Sequence, residues 1–218
     1  SDLSVNIKTY ADGEIGSWTS IGCMADIAAT DGPVQSCCID NTTPLTWTGL
    51  TTAWASTDNW GSCIVPTCTN DVVIPVSGSN ATITTAVTCR DITINAGATL
   101  VISAGGTLSI CGNFINNGTV TCAAGSTVIF VGTAAQSISG STTTTFSNLT
   151  VNNTSATGLT LSTPANVATA LTLTDGIVYT TATNILSVLD NATSTPGTAT
   201  VYVDGWMRKV GNEAFVFP

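Results

Sequence analysis

Histidine is absent from the 218 residues, and only four residues are Lys or Arg. The first absence excludes Ser-His and Cys-His catalytic dyads and imidazole-ligated metal sites. The second, with 13 acidic residues and a net charge of -9, excludes neutralisation of a phosphate backbone, so no nucleic acid is expected as a partner. Charged residues make up only 8% of the chain. Long apolar runs are also missing. The longest are of the kind Val128-Ile129-Phe130-Val131, far short of the roughly 20 residues a membrane-spanning helix needs, so no membrane span is expected. Glu, Lys, Gln and Arg, the usual residues of a helix surface, are scarce. A hydrophobic content of 43% argues against disorder.

Threonine is abundant instead, with 42 residues. From Asp71 onward, apolar-Thr-apolar triplets recur between Gly, Asn and Ala, as in Ile92-Thr93-Ile94, Leu159-Thr160-Leu161 and Leu171-Thr172-Leu173. Alternation of period two is the mark of a half-buried strand, and β-branched Thr suits its outer face. The class is all-β. Strands recur about every 8 residues, and three strands make a repeat of about 22–24. Asp91-Ile92-Thr93-Ile94 is answered 22 residues later by Asn113-Phe114-Ile115-Asn116, and Asn95 by Asn117. This spacing predicts a right-handed parallel β-helix in which Ile92 and Phe114 are vertical neighbours and Asn95 and Asn117 form a side-chain ladder. Later the repeat loosens, and loops are expected near Thr142–Thr145 and Ser162–Asn166.

Eight cysteines, at 23, 37, 38, 63, 68, 89, 111 and 122, predict disulfides and an oxidising compartment. Only Cys63 and Cys68 approach the pairing that zinc uses, and no second such pair exists. Stacked coils put Cys89 beneath Cys111, within reach of a disulfide. The expected bonds are Cys89–Cys111 and Cys63–Cys68, with vicinal Cys37 and Cys38 reaching different partners, for instance Cys23 and Cys122. Three segments follow. Residues 1–45 are acidic and lack the repeat, and read as a Cys-containing N-terminal cap or subdomain. Residues 46–75 are a Trp-rich entry segment with Trp47, Trp54 and Trp60. Residues 76–218 are the β-helix. The start at Ser1-Asp2 reads as processed, and the end at Phe215-Val216-Phe217-Pro218 as cut off within a strand of a longer protein.

Several stretches resemble a known family. Trp47-Thr48-Gly49, Asn59-Trp60 and Asp71-Val72-Val73-Ile74-Pro75 look like the opening of β-helical segments in surface proteins that gliding and related bacteria export by the type 9 secretion system. Gly112-Asn113-Phe114-Ile115-Asn116-Asn117-Gly118-Thr119 and the segment from Val203 to Pro218 are similar to further stretches of that family. The resemblance covers roughly residues 46–218. It implies an extracellular or cell-surface location and an adhesin-like or surface-layer role, and carries over no catalytic residue.

An enzyme of this shape needs carboxylates converging on one groove. Asp91, Asp175 and Asp190 are widely spread, and Arg90 and Asp91 point opposite ways on a strand, so no catalysis is expected. Asp12, Glu14, Asp26 and Asp31 are the only candidates for Ca²⁺, beside the simpler reading of a solvated acidic loop; no other cofactor is expected. A Thr face that binds ice or another ligand would need Thr at one fixed position in every coil, and Thr82, Thr84, Thr85 and Thr142–Thr145 are not that regular. The favoured function is a secreted structural or adhesive module, a rigid stalk or a filament or surface-assembly subunit. Its partners would be its own chain, neighbouring subunits or surface glycans. A polysaccharide-binding or polysaccharide-degrading β-helix is the alternative.

Overall fold

The computed structural model describes residues 44–218. The expected 1–45 cap, with Cys23, Cys37 and Cys38 and the Ca²⁺ candidates Asp12, Glu14, Asp26 and Asp31, therefore lies outside the described residues except for Pro44 and Leu45. What is described is a parallel β-solenoid of about seven turns.

The chain enters at β1 (Leu45–Thr46) and then winds through β2 (Val72–Ile74), β3 (Ala81–Ile83) and β4 (Ala86–Cys89). The next turn is β5 (Ile92–Ile94), β6 (Thr99–Ile102) and β7 (Thr107–Ile110), and the next β8 (Phe114–Asn116), β9 (Thr119–Cys122) and β10 (Thr127–Phe130). Later turns are β11 (Gln136–Ser139) with β12 (Thr144–Asn152), then β13 (Leu159–Leu161) with β14 (Ala165–Asp175). The last are β15 (Ile177–Tyr179), β16 (Leu186–Val188) and β17 (Thr193–Ser194), then β18 (Tyr202–Asp204) and β19 (Met207–Lys209). Helical structure among the described residues is one short 3₁₀ turn, Thr57–Asn59.

The turns from β2 to β10 visit three faces in the same order. The first sheet stacks eight strands, β1-β2-β5-β8-β11-β13-β15-β18. The second is β3-β6-β9 alone, and the third runs β4-β7-β10-β12-β14-β16-β19 with β17 paired to β14. The second sheet stops because β12 and β14 run 9 and 11 residues through what had been a corner. The register between them slips after Phe146, so the long strands turn the corner at an irregularity instead of a loop. The loops expected at Thr142–Thr145 and Ser162–Asn166 are thus corrected in part: Thr144 and Ala165 begin strands.

Ile92 sits on Phe114, as the spacing predicts. The rung length varies, however. Successive first-sheet partners are Val72, Ile92, Phe114, Ile138 and Leu161, steps of 20, 22, 24 and 23 residues. Inward positions along these columns are fully buried, including Ile92, Ile94, Leu100, Phe114, Phe130 and Val151. Outward neighbours such as Thr93, Ser109 and Thr150 are half-buried. That alternation is the period-two pattern of the sequence made physical. At the entry end, Trp47, Trp54 and Trp60 are buried with their rings edge to face, at 5.2 and 4.7 Å between centroids. Trp60 Nε1 donates to Trp54 O at 2.8 Å, so the polar tip of the ring is satisfied inside the core.

Candidate functional surfaces

The corner between the third and first faces carries the densest polar chemistry. Arg90 forms a two-point ion pair with Asp71, one turn above. The Arg90 hydrogen bond is the main reason that Asp71 titrates below the usual carboxylate range. One turn further, Asp91 Oδ1 accepts the backbone N–H of Asn113 at 2.6 Å and Asn113 Nδ2 at 3.4 Å. Asp71 Oδ1 likewise accepts the N–H of Asp91 at 3.3 Å. These carboxylates are therefore spent on the N–H groups of the next rung. Neither Arg90 nor Asp91 is on a strand: both lie in the corner between β4 and β5, where exposed Arg90 pairs with Asp71 and half-buried Asp91 accepts from Asn113.

The same corner holds a disulfide, and here two expectations are corrected. Cys68 bonds Cys111, with 5.4 Å between Cα atoms. Cys89 is a free, buried thiol, so the Cys89–Cys111 bond does not form. Between β4 and β7 on the third sheet the rung step is 21 residues, and Cys89 is paired with Ile110. Cys111 is one residue past that rung. Its N–H still reaches Cys89 O at 2.9 Å, but a one-residue offset turns its side chain to the other surface. The Cys63–Cys68 bond is excluded for the same reason of partner: Cys63 is disulfide-bonded, but Cys68 is taken by Cys111. Cys122 is a free thiol, and burial pushes its pKa up to about 11.

The predicted Asn95/Asn117 pair has the right register, since Asn117 N–H donates to Ile94 O at 2.9 Å. Its side chains act elsewhere, however. Asn117 Oδ1 accepts from Ser141 N at 3.0 Å, and Asn95 is exposed. The internal amides are one position away or on other turns. Buried Asn116 donates to Thr144 Oγ1 at 2.8 Å. Buried Gln136 donates to the carbonyls of Ile110 and Gly112 at 2.8 and 2.6 Å, accepts Gly132 N–H, and receives Asn153 Nδ2 at 2.8 Å.

The outer surface of the third sheet is different in kind. One column runs Thr88, Ser109, Ile129, Thr150, Thr172 and a second includes Thr107, Thr127 and Asn148. No charged side chain interrupts either column. Ser109, Ile129 and Asn148 interrupt the Thr in these columns, and Thr82 lies on the second sheet, so Thr does not hold one fixed position in every coil here.

Near the last turn, Glu213 accepts from Lys209 Nζ at 2.9 Å and from the Asn191 N–H. Its pKa is pushed down to about 2, chiefly by its own backbone N–H and then by Lys209. Asp175 ends β14 and Asp190 follows β16, so with Asp91 the three sequence-level carboxylates sit on separate turns. Among the described residues, no group of three or more His, Cys, Asp or Glu is placed to hold a metal ion. No described helix is long and apolar enough to cross a membrane.

The fold and these surfaces define a disulfide-bearing parallel β-solenoid. Within it, residues 46–132 match a family model described as a domain of unknown function (DUF8693). No curated protein and no solved structure matches the chain.

Proposed function

We propose that this chain is a secreted, cell-surface structural or adhesive module without catalysis, acting as a rigid stalk or as a subunit of a filament or surface assembly. The observation that carries the reading is the first sheet: eight parallel strands stacked in one column over a continuous apolar core. Such a column resists bending because every rung is tied to the next by its ladder bonds. The Cys68–Cys111 bond supports an oxidising, extracellular location. Export by the type 9 route rests on the resemblance of the Trp47–Pro75 and Gly112–Thr119 stretches. The test is protease shaving of intact producing cells followed by peptide mass spectrometry. Peptides of this chain released from the surface support the reading, and their recovery only from lysed cells refutes it.

A second reading, binding of a surface glycan, is favoured by the uncharged columns of the third sheet, in which Thr and Ser alternate with Ile129, Asn148 and Ala170. A glycan array tests it, with Thr107→Lys/Thr150→Lys as the variant. Binding lost in the variant supports this face, and absence of binding by the native protein removes the reading.

A further inference from the structure

Cys63 is disulfide-bonded, and its partner follows by elimination. The chain has eight cysteines. Among the described ones, Cys68 and Cys111 bond each other, and Cys89 and Cys122 are free thiols. Cys23, Cys37 and Cys38 are left. Chain geometry divides these three. Consecutive Cα atoms lie about 3.8 Å apart across a trans peptide, below the roughly 4.4–6.8 Å that a disulfide spans. Vicinal Cys37 and Cys38 therefore do not suit each other. If Cys63 took Cys23, only that vicinal bond would remain for the other two. If Cys63 takes Cys37 or Cys38, Cys23 bonds the other, and all three are paired.

The position of Cys63 fits a partner shortly before Pro44. After the Trp cluster the chain returns to the first face over β1. Trp60 bridges Trp47 in the antiparallel sense, and Gly61 N–H donates to Thr46 O at 3.0 Å. The chain that leaves Gly61 therefore runs back alongside the chain that enters at Pro44 and Leu45. Cys63 N–H then turns onto Trp60 O at 2.9 Å. Cys63 is half-buried there, with a φ of 50°. A non-Gly residue keeps such a left-handed conformation only where its surroundings hold it. Cys37 and Cys38 stand seven and six residues before Pro44, a stretch that reaches at most about 20–25 Å.

We propose that Cys63 bonds Cys37 or Cys38, that Cys23 bonds the other of that pair, and that the Cys63 bond closes a covalent ring that holds the Trp-rich entry in place. The ring contains β1 and all three of Trp47, Trp54 and Trp60, which pack together at the entry end of the core. The Cys68–Cys111 bond closes a second ring, which contains β2 to β7. The entry and the first coils are thus closed by two rings in tandem. A cross-link acts by removing conformations from the open chain, so the first ring steadies the Trp cluster without adding a packing contact. Each bond forms by thiol–disulfide exchange with a disulfide oxidant. Two thiols lose two electrons and two protons, and the oxidant ends as a dithiol. The inference does not depend on the function proposed above.

The connectivity is tested on the unreduced full chain by peptic digestion at acid pH, where exchange is slow, and mass spectrometry of linked peptides. The Cys63 peptide should be joined to the peptide that carries Cys37 and Cys38, and that one in turn to the Cys23 peptide. Cys63 joined to Cys23, a Cys37–Cys38 ring, or Cys63 joined to a second chain overturns the proposal. The ring is tested by hydrogen exchange of Cys63→Ser, with the thiol that the substitution releases alkylated. Amides of residues 45–61 should exchange at least about tenfold faster than in the native protein, while residues 107–175 are unchanged, as expected of a local opening. Unchanged exchange at 45–61 overturns the role of the ring, because the three Trp then hold the entry without it. Equal acceleration through 107–175 overturns it too, because the bond then maintains the whole fold and not the entry.

Discussion

The turns up to Gly132 and those after it reach the same rung spacing by different means. In the earlier region each turn is three short strands with a sharp corner between third and first faces. That corner is tied by Cys68–Cys111, by Asp71 with Arg90, and by Asp91 with Asn113. In the later region two long strands, β12 and β14, absorb one corner, and the interior is tied by neutral amides at Gln136 and Asn153. Charged groups serve where the corner is open to water. Amides serve where the group is buried, because a buried charge costs far more than a buried amide whose hydrogen bonds are all made. The DUF8693 match, which ends at residue 132, coincides with the three-strand region.

The largest effect expected on this contrast comes from the entry cap. Trp60→Ala removes a fully buried ring packed on two others and should cost about 3–5 kcal/mol in chemical denaturation. Hydrogen exchange should show the loss concentrated in β1 to β4. Equal loss in β12 and β14 would mean that the two regions are one cooperative unit. Next is Gln136→Leu, which leaves the carbonyls of Ile110 and Gly112 without this donor inside the core. A loss of about 1–3 kcal/mol is expected, and a neutral result would show that the amide network does not hold the junction.

Gly112→Ala should follow closely. A Cβ there would collide with Asp91 Oδ1 and lie 3.1 Å from the Arg90 carbonyl carbon, so the Asp91–Asn113 bond must break or the rung must shift. Overpacking of this kind costs about 1–3 kcal/mol. The control is Gly125→Asn, where the added side chain meets open space and Asn tolerates the positive φ of 82°.

The smallest effect is that of Arg90→Gln. The pair is 48% and 27% exposed, so solvent screens it and its loss should cost least of these changes. Its pH signature is more telling. The folded-state pKa of Asp71 is lowered, so the pair's contribution is complete above the unfolded carboxylate pKa, about 3.9. It is lost as pH falls through the lower folded value. Acid titrations of stability should therefore be shallower in the Arg90→Gln protein. Identical slopes would show that Asp71 does not take part.

The class and the winding were legible because side-chain alternation depends only on neighbours along the chain. Ile92-Thr93-Ile94 and Phe114-Ile115-Asn116 carry it plainly, and so their stacking was found. Disulfide pairing was not legible, because it depends on the rung step at one face. Twenty-two residues is the step at Ile92, whereas at Cys89 it is 21, and that single residue moves Cys111 from the interior to the corner. The merging of strands at Thr144 and Ala165 was hidden for a related reason. Thr-rich segments read as loops by composition, and only the inward burial of Thr144, Phe146, Ala165 and Val167 makes them strands.

The unpaired Cys89 gives the molecule a built-in clock. Its thiol is fully enclosed, and burial raises its pKa, so neither access nor ionisation favours reaction while the turn is wound. Labelling at this sulfur, mapped apart from Cys122, therefore counts unwinding events of the β4 rung, and its rate against temperature would read the barrier to uncoiling without an engineered residue.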